Sequence, residues 1–320
     1  MKRSYPYSIR AMRGLTLIEL MVSLTIGLVV ILATMSAYLG SAAASRVADA
    51  EARMNEDANA ALTILTQQLR MAGNNPKQPN RALAFQRNPV FGASSYIVRG
   101  CDGKFSNITT ALTIPELTCV ASTTSPDSIA ISYEADAYNT VPTSGGKPTD
   151  CLGQSLTAQT ATVTSVTATT TDSAATATFY GADNRFYIDT PSKSSVPSLY
   201  CKGNGGGEQP LVENVEDMQL TYGAGVATGT ITAVAGYLDA TAILTQSDLA
   251  ALTDDPARWA RVMTVRICVL MRSEKPVVDN AASARYTKCD GTVVTNPPDL
   301  RLRRAYSTTV GLRNRLTGFN

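Results

Sequence analysis

Histidine is absent from all 320 residues of this sequence. The most common general base of enzyme active sites is therefore missing, and so is the usual nitrogen ligand of metal ions. The G-x-S-x-G signature of serine hydrolases is absent as well. Because no catalytic set remains, we predict that the chain is not an enzyme and needs no cofactor.

Cysteine pairs of the C-x-x-C type are also missing, although six cysteines are spread along the chain. Without such pairs and without histidine, no zinc site is predicted, and no residue is assigned to a metal. Disulfides are the better interpretation in an oxidising compartment outside the cytoplasm. Sequence alone leaves the connectivity open. Pairing sequence neighbours, of which we favour the first and last pairs, gives Cys101–Cys119, Cys151–Cys201 and Cys268–Cys289.

A strong excess of either charge is lacking, since the formal net charge is only +2. The first 14 residues carry four positive charges, which leaves the remainder near −2. This balance gives no support for a nucleic-acid partner. The acidic pair Asp254-Asp255 before Pro256 is interpreted as a solvated helix stop, and no ligand spacing supports calcium at Asp102 or Asp183.

Charge is absent altogether from Leu20 to Ser45. About twenty helical residues cross the ~30 Å hydrocarbon core of a bilayer, so residues 15–40 are predicted to span a membrane. The basic residues of segment 1–14 place the N-terminus in the cytoplasm and the bulk of the chain outside it. A cleavable secretory signal is the alternative, because small residues follow at positions 41–44.

Glu19 is a lone carboxylate near the start of this apolar segment. Its insertion costs about 1–3 kcal/mol unless it is paired or reaches the interface. One interpretation is a side chain that reaches the membrane surface. The other is a carboxylate that awaits a cation from a neighbouring copy of the segment.

Helical periodicity continues beyond the membrane segment through residues 41–72. Apolar side chains recur there at spacings of three and four, with charged residues on the opposite face. Gly73-Asn74-Asn75-Pro76 is a stop signal. We therefore expect one helix from about Leu15 to Ala72, with its second half packed on a globular domain of residues 77–320.

The globular part has the alternation that is typical of strands. The threonine-rich segment Thr157–Thr178 favours an exposed hairpin or long edge strands over a disordered tract. A short helix is expected within Ala240–Leu252, and the 202–207 segment (KGNGGG) is interpreted as a flexible turn without nucleotide binding. Further strands are predicted at Ser128–Tyr133, Phe186–Asp189, Val215–Tyr222, Gly229–Val234, Trp259–Arg272 and Arg303–Leu312. The expected fold is α+β: a long N-terminal helix packed on a mainly antiparallel sheet.

The N-terminal residues R-G-L-T-L-I-E-L-M resemble the processing motif of the type IV pilin superfamily. By that resemblance, a prepilin peptidase cuts after Gly14, Leu15 becomes the methylated first residue, and Glu19 serves assembly. Segments 211–223, 259–272 and 302–315 look like the C-terminal signature of the PilW family of minor pilins.

The resemblance implies a minor pilin of the tip or priming complex of a type IV pilus, which supports motility, adhesion or DNA uptake. Its expected partners are other minor pilins, the major pilin, the prepilin peptidase and the inner membrane that holds it before it enters the extracellular pilus. The alternatives are a J-type pseudopilin of type II secretion, and a tip adhesin or DNA-binding subunit. Candidate contacts to a partner or to DNA are Arg301, Arg303, Arg304, Arg313 and Arg315; the opposing interpretation is that these arginines pair with acids or with partner pilins.

Overall fold

The computed structural model describes residues 14, 16–75, 96–164, 174–226, 233–246, 249, 251–252 and 254–316. The chain divides into two compact units, one up to Asp49 and the other from Ala50 onward. Helix α1 (Leu17–Met71) begins in the first unit and ends in the second. The expected span from about Leu15 to Ala72 therefore differs from the described helix by two residues or fewer at each end, and Leu15 itself lies outside the described residues.

Helix α1 is followed by a domain in which short strands dominate. The other helices are α2 (Ala240–Thr245), α3 (Asp255–Trp259) and α4 (Arg313–Leu316). The described strands are β1 (Val98–Cys101), β2 (Gly103–Phe105), β3 (Cys119–Ala121), β4 (Ser128–Ala135), β5 (Gln159–Thr164), β6 (Ala174–Asp189), β7 (Ser198–Lys202), β8 (Glu208–Glu213), β9 (Val215–Ala224), β10 (Gly236–Leu238), β11 (Val262–Arg272), β12 (Tyr286–Thr287), β13 (Val293–Val294) and β14 (Arg303–Gly311).

Two larger sheets organise the second unit. One has the strand order β1-β4-β6-β7-β8, with β5 paired to the first part of β6, and the other has the order β10-β9-β11-β14. Every described strand pair is antiparallel. The α+β prediction with a mainly antiparallel sheet is thus confirmed.

The buried face of α1 follows the predicted three- and four-residue spacing. Met54, Ala58, Ala61, Leu65 and Leu69 are all buried. They belong to one core with inward-facing residues of both sheets, among them Ile131 of β4 and Ile267 of β11. Small alanines at two of these helical positions let the backbone of α1 approach the sheets closely, while the leucines fill the space between them.

The two sheets meet at Asp127, the residue before β4. Its backbone N–H donates to the carbonyl of Met218 at 2.7 Å, and its carboxylate accepts from the N–H groups of Leu220 at 2.7 Å and Gly103 at 3.0 Å. Burial raises the pKa of this carboxyl to about 7, although the two backbone donors oppose the rise. One buried carboxyl therefore joins strand β9 to the start of β2.

The threonine-rich segment forms strands β5 and β6, which pair from Gln159↔Phe179 to Thr164↔Ala174. This confirms paired strands over the described part of Thr157–Thr178; residues 165–173 lie outside the described residues. Most of the predicted strand Gly229–Val234 also lies outside them. The strands predicted at Ser128–Tyr133, Phe186–Asp189 and Val215–Tyr222 fall within β4, β6 and β9.

Two predictions around residue 255 were wrong. Asp254 begins a helix rather than ending one, because its side chain accepts from the N–H of Ala257 and caps α3. Trp259 closes that helix instead of opening strand β11, which starts at Val262. Its ring packs edge-on against Tyr222, with 4.9 Å between ring centroids, so the apolar character of Trp259 serves the core and not a strand.

Candidate functional site

The start of α1 is closed by a reciprocal pair of side chains, Thr16 and Glu19. The backbone N–H of Glu19 donates to Thr16 Oγ1 at 3.3 Å, and Glu19 Oε2 accepts from the backbone N–H of Thr16 at 2.9 Å. Thr16 Oγ1 also lies 2.9 Å from the same carboxylate oxygen. This is a capping box, in which two backbone donors at a helix N-terminus are satisfied.

The capping box lies directly beside the predicted cleavage position. Gly14 is exposed, and a Cβ added to it would meet no atom within 4 Å. Glu19 is exposed too, and the described residues offer it no ion-pair partner. Since the bonds of Glu19 reach only as far back as Thr16, a cut after Gly14 would leave every one of them intact.

The first unit exposes a continuous apolar helix surface. Large hydrophobic side chains from Leu17 to Leu39 are all at least half exposed. Helix α1 is long and apolar enough to cross a membrane by its length and composition. Within the first unit these side chains have no protein partner that would cover them, as expected of a segment whose solvent is lipid or another subunit.

The second half of α1 is held by polar contacts as well as by its apolar face. Tyr306 Oη donates to Asn55 Oδ1 at 2.5 Å, and Asn184 Nδ2 donates to Gln68 Oε1 at 2.8 Å. Exposed ion pairs add Arg304–Glu51 at 3.2 Å and Arg53–Glu274 at 3.8 Å. The contacts come from β6, β14 and the loop after β11, so several strands fix the position of the same helix.

The end of α1 is capped from the far end of the chain. The side-chain amide of Asn314 donates to the carbonyls of Arg70, Met71 and Ala72 at 3.0, 3.4 and 3.2 Å. These are carbonyls that the helix cannot satisfy itself. Gly73, with φ +69°, then turns the chain away and donates its N–H to the carbonyl of Ser132 at 2.9 Å.

Three disulfides cross-link the second unit. The bonds are Cys101–Cys119, Cys151–Cys201 and Cys268–Cys289. They match the pairing of sequence neighbours predicted above. Cys101–Cys119 ties β1 to β3, Cys151–Cys201 ties the loop after β4 to β7, and Cys268–Cys289 ties β11 to the loop between β12 and β13. Each bond restricts the unfolded chain, and in the chain-entropy model this stabilises the folded unit.

Most of the C-terminal arginines are engaged within the chain. Arg303 is nearly buried and bonds Glu216 at 2.5 Å and Asp299 at 2.6 Å. Its hydrogen bond lowers the pKa of Asp299 to about 2. Arg301 donates to the carbonyls of Ser273 and Glu274, and Arg304 pairs with Glu51. The structure thus favours the interpretation in which these three arginines pair within the fold.

The other two candidate arginines are Arg313 and Arg315. Arg313 is exposed and has no ion-pair partner in the part of the chain that the structure describes. The side chain of Arg315 lies outside the description. The five arginines therefore do not form a single basic patch among the described side chains.

The acidic residues considered for calcium have other roles. Asp102 accepts from the N–H groups of Ala240 and Thr241 at 2.8 and 2.7 Å and thereby caps helix α2. Asp183 pairs with the buried Arg185 at 3.1 Å. No metal-binding group of acidic or cysteine side chains occurs among the described residues.

Two family models match this chain, one at each end. Residues 9–35 match the prokaryotic N-terminal methylation motif, and residues 185–314 match the type IV pilus-assembly protein W. Searches of the curated proteins and of the solved structures found no match. The chain matches a PilW-like type IV minor pilin. Both matched families are structural components of pili and not enzymes.

The segment 185–314, which matches the pilus-assembly protein W model, supplies most partners of α1. Tyr306, Arg304, Glu274 and Asn314 all fall within it. Sequence reasoning missed Asn314 and Asn55, because nothing local marks a side chain that bonds another about 250 residues away. It also missed the pairing of Thr16 with Glu19, although the T-x-x-E spacing ahead of an apolar run could have revealed it.

Proposed function

We propose that this PilW-like minor pilin is a structural subunit of the tip or priming complex of a type IV pilus and supports pilus assembly. One observation carries the proposal: an exposed apolar helix, with a carboxylate at its start that has no ion-pair partner among the described residues, continues into a disulfide-linked domain that packs against its second half. An apolar anchor joined to a folded head can be held first by a membrane and then by other subunits.

The arrangement proposed along the chain follows from this role. Residues 1–14 are a cytoplasmic leader that the prepilin peptidase removes after Gly14, and Leu15 becomes the methylated N-terminus. Residues 15–40 span the inner membrane, residues 41–72 continue the helix, and residues 77–320 form the extracytoplasmic domain. After assembly the subunit lies in the extracellular pilus, in contact with other minor pilins and with the major pilin.

Glu19 is proposed to act in assembly through its charge. After cleavage the new amine of a neighbouring subunit is a cation that an apolar environment forces into contact with a carboxylate. The capping box offers a competing role, since a helix cap requires only an acceptor at this position. Glutamine accepts the same backbone hydrogen bond without a charge and therefore separates the two roles.

The test compares Glu19→Gln with Glu19→Ala in cells that assemble pili. We expect both variants to be made, inserted and cleaved, and both to fall at least about tenfold in sheared pili, as loss of a desolvated charge pair would require. The amount of each variant in pili and membranes is measured by quantitative mass spectrometry. If Glu19→Gln is incorporated like the wild type while Glu19→Ala is not, Glu19 acts as a helix cap and the charge proposal fails.

Co-purification decides between the pilus and the alternative of a J-type pseudopilin of type II secretion. The full-length protein, extracted in detergent from its own cells, should carry other type IV minor pilins and the major pilin. Recovery of secretion pseudopilins in their place would overturn the pilus assignment. The adhesin and DNA-binding alternatives have no comparable support, because Arg301, Arg303 and Arg304 are committed to partners within the chain.

A further inference from the structure

A cavity of about 460 Å³ opens in the second unit between the last turns of α1 and the segment that follows β4. Two of its lining residues, Arg70 and Met71, also have their backbone carbonyls bonded by the side-chain amide of Asn314. Its size falls within the range of binding pockets. The residues that line it and that the argument uses are Gln67, Gln68, Arg70, Asn139, Val141 and Asp150.

The outer wall of this pocket is fixed by its own bonds. Asn139 Nδ2 donates to the carbonyl of Glu134 at 2.8 Å, and Thr149 Oγ1 donates to the carbonyl of Val141 at 2.7 Å. The disulfide Cys151–Cys201 anchors the same segment to β7. A wall held in this way is preorganised and would lose little conformational freedom on binding.

Three lining side chains, those of Asp150, Asn139 and Gln68, already use their oxygens as hydrogen-bond acceptors. Asp150 Oδ1 accepts from the N–H groups of Leu152 and Gln154 at 2.9 and 3.0 Å, and its Oδ2 accepts from Gly205 at 3.0 Å. Asn139 Oδ1 accepts from the N–H of Asp136 at 2.8 Å, and Gln68 Oε1 accepts from Asn184. A ligand therefore finds few side-chain acceptors open to it.

In contrast to these acceptors, two donor side chains of the pocket are available to a ligand. Arg70 and Gln67 are exposed and lie three residues apart, on one face of α1. Arg70 has no ion-pair partner in the described part of the chain, whereas Arg53 on the same helix pairs with Glu274. A planar guanidinium beside an amide donor fits a carboxylate.

The surroundings indicate what kind of molecule brings this carboxylate. Val141 lines the pocket with 82% of its surface exposed, and Tyr138, three residues earlier, is 98% exposed. The exposed face of α1 runs from Glu56 through Thr63 to Gln67 and Arg70 without cover. An apolar rim beside a bare helix face suits a protein surface better than a small solute.

We infer that this pocket receives an acidic side chain of a neighbouring pilin subunit, which Arg70 binds with support from Gln67 and with Val141 and Tyr138 at the rim of the contact. The inference rests on the proposed function, because it needs a second pilin beside this one. Beyond that function, the inference names the surface of the globular domain that contacts the neighbour, and it specifies a negative charge on the neighbour's residue. Together these two features determine which neighbour fits.

The experiment uses the full-length chain in piliated cells and compares Arg70→Glu with Arg53→Glu. The control arginine lies on the same helix, about 25 Å away along the axis, and its long, solvent-exposed ion pair with Glu274 contributes little to stability. We expect Arg70→Glu to lower co-purifying pilins and its own content in pili about tenfold, and Arg53→Glu to change both less than twofold. Unchanged thermal unfolding of the detergent-solubilised Arg70→Glu protein shows that it is folded.

A photo-crosslinking residue at position 141 identifies the neighbour. The expected product joins this chain to another pilin at a peptide that contains Asp or Glu, and changing that acid to lysine should restore Arg70→Glu. Incorporation of Arg70→Glu at the wild-type level overturns the inference but leaves the proposed function in place. Absence of the wild-type chain from pili removes the proposed function itself. Binding of a free uronic acid that depends on Arg70, with normal incorporation of Arg70→Glu, also overturns the inference in favour of a small ligand.

Discussion

The two halves of helix α1 are one continuous helix in two contrasting environments. In the first half, large apolar side chains such as Leu28 and Ile31 are more than 60% exposed. In the second half, Leu65 and Leu69 are 1% exposed and are packed against two sheets. The difference shows that the first unit by itself does not bury these apolar residues, as expected of a segment that lipid or other subunits cover.

The largest expected effect comes from removing a leucine from each half in turn. Leu65→Ala leaves a cavity in the core of the second unit and should lower the free energy of unfolding by about 2–5 kcal/mol. Leu28→Ala removes the same atoms where no cavity can form, so its effect should stay within about 0.5 kcal/mol. Denaturant unfolding of the detergent-solubilised proteins measures both. Equal losses from the two substitutions would show that the halves do not differ as described.

A second, smaller effect is the pH dependence of the stapled domain. Burial raises the pKa of Asp127 to about 7, above the value near 4 of an unfolded chain. Folding then favours the protonated carboxyl, so this group stabilises the fold most below about pH 4 and loses that contribution as the pH rises to about 7. The slope is at most about 1.4 kcal/mol per pH unit.

Asp127→Asn isolates this contribution from those of other carboxyl groups. The variant cannot titrate at this position, although it loses one acceptor for a backbone N–H at every pH. The unfolding free energy of the wild type minus that of the variant should fall between pH 4 and pH 7 and then level off. A difference that stays constant over this range would show that Asp127 remains ionised in the fold. The first half of α1 lies far from Asp127 in sequence. Its helical signal should therefore stay constant between pH 4 and pH 7.

The smallest expected effect concerns the cap at the end of the docked half. Asn314→Ala removes the donor to the carbonyls of Arg70, Met71 and Ala72, and should cost about 1 kcal/mol of unfolding free energy. Asn59→Ala is the matched control, since Asn59 is exposed on the same helix and should change stability by less than about 0.5 kcal/mol. Hydrogen exchange at the last turn of α1 should rise only in Asn314→Ala. If the two variants behave alike, the helix end is held by packing and not by this amide.

Local signals in the sequence were sufficient for many elements of the fold. The helix of residues 17–71 and strands such as β4 and β9 were predicted, because hydrophobic period is a property of short segments. The connectivity of the cysteines was left open, with the first and last neighbour pairs favoured, because spacing alone does not determine it. The errors at Asp254 and Trp259 arose where one residue type fits two local structures. An aspartate can begin a helix or follow one, and a tryptophan can belong to a strand or fill a core from a helix.

The candidate site likewise has parts that the sequence predicts and parts that only the fold reveals. The Gly14, Leu15 and Glu19 motif is local and could be found by inspection, and the T-x-x-E capping box beside it is equally local. The pocket at Arg70 is not local, since α1, β4 and the segment up to Gly153 must come together before its donors and acceptors can be counted. Which arginines are free for a partner was likewise undecided until Glu216 and Asp299 were seen beside Arg303.

The sequence by itself determined the apolar helix, its polar start, its end at Gly73 and the match of residues 9–35 to an N-terminal methylation motif. Each of these depends on residues no more than a few positions apart, where backbone geometry decides which side chains meet. The tertiary structure alone decided that Asn314 would cap the helix, that Asp127 would join the sheets, and that Arg70 would be left without an ion-pair partner among the described residues. Those outcomes depend on contacts between residues tens to hundreds of positions apart, which only the packing of the core brings within hydrogen-bond distance.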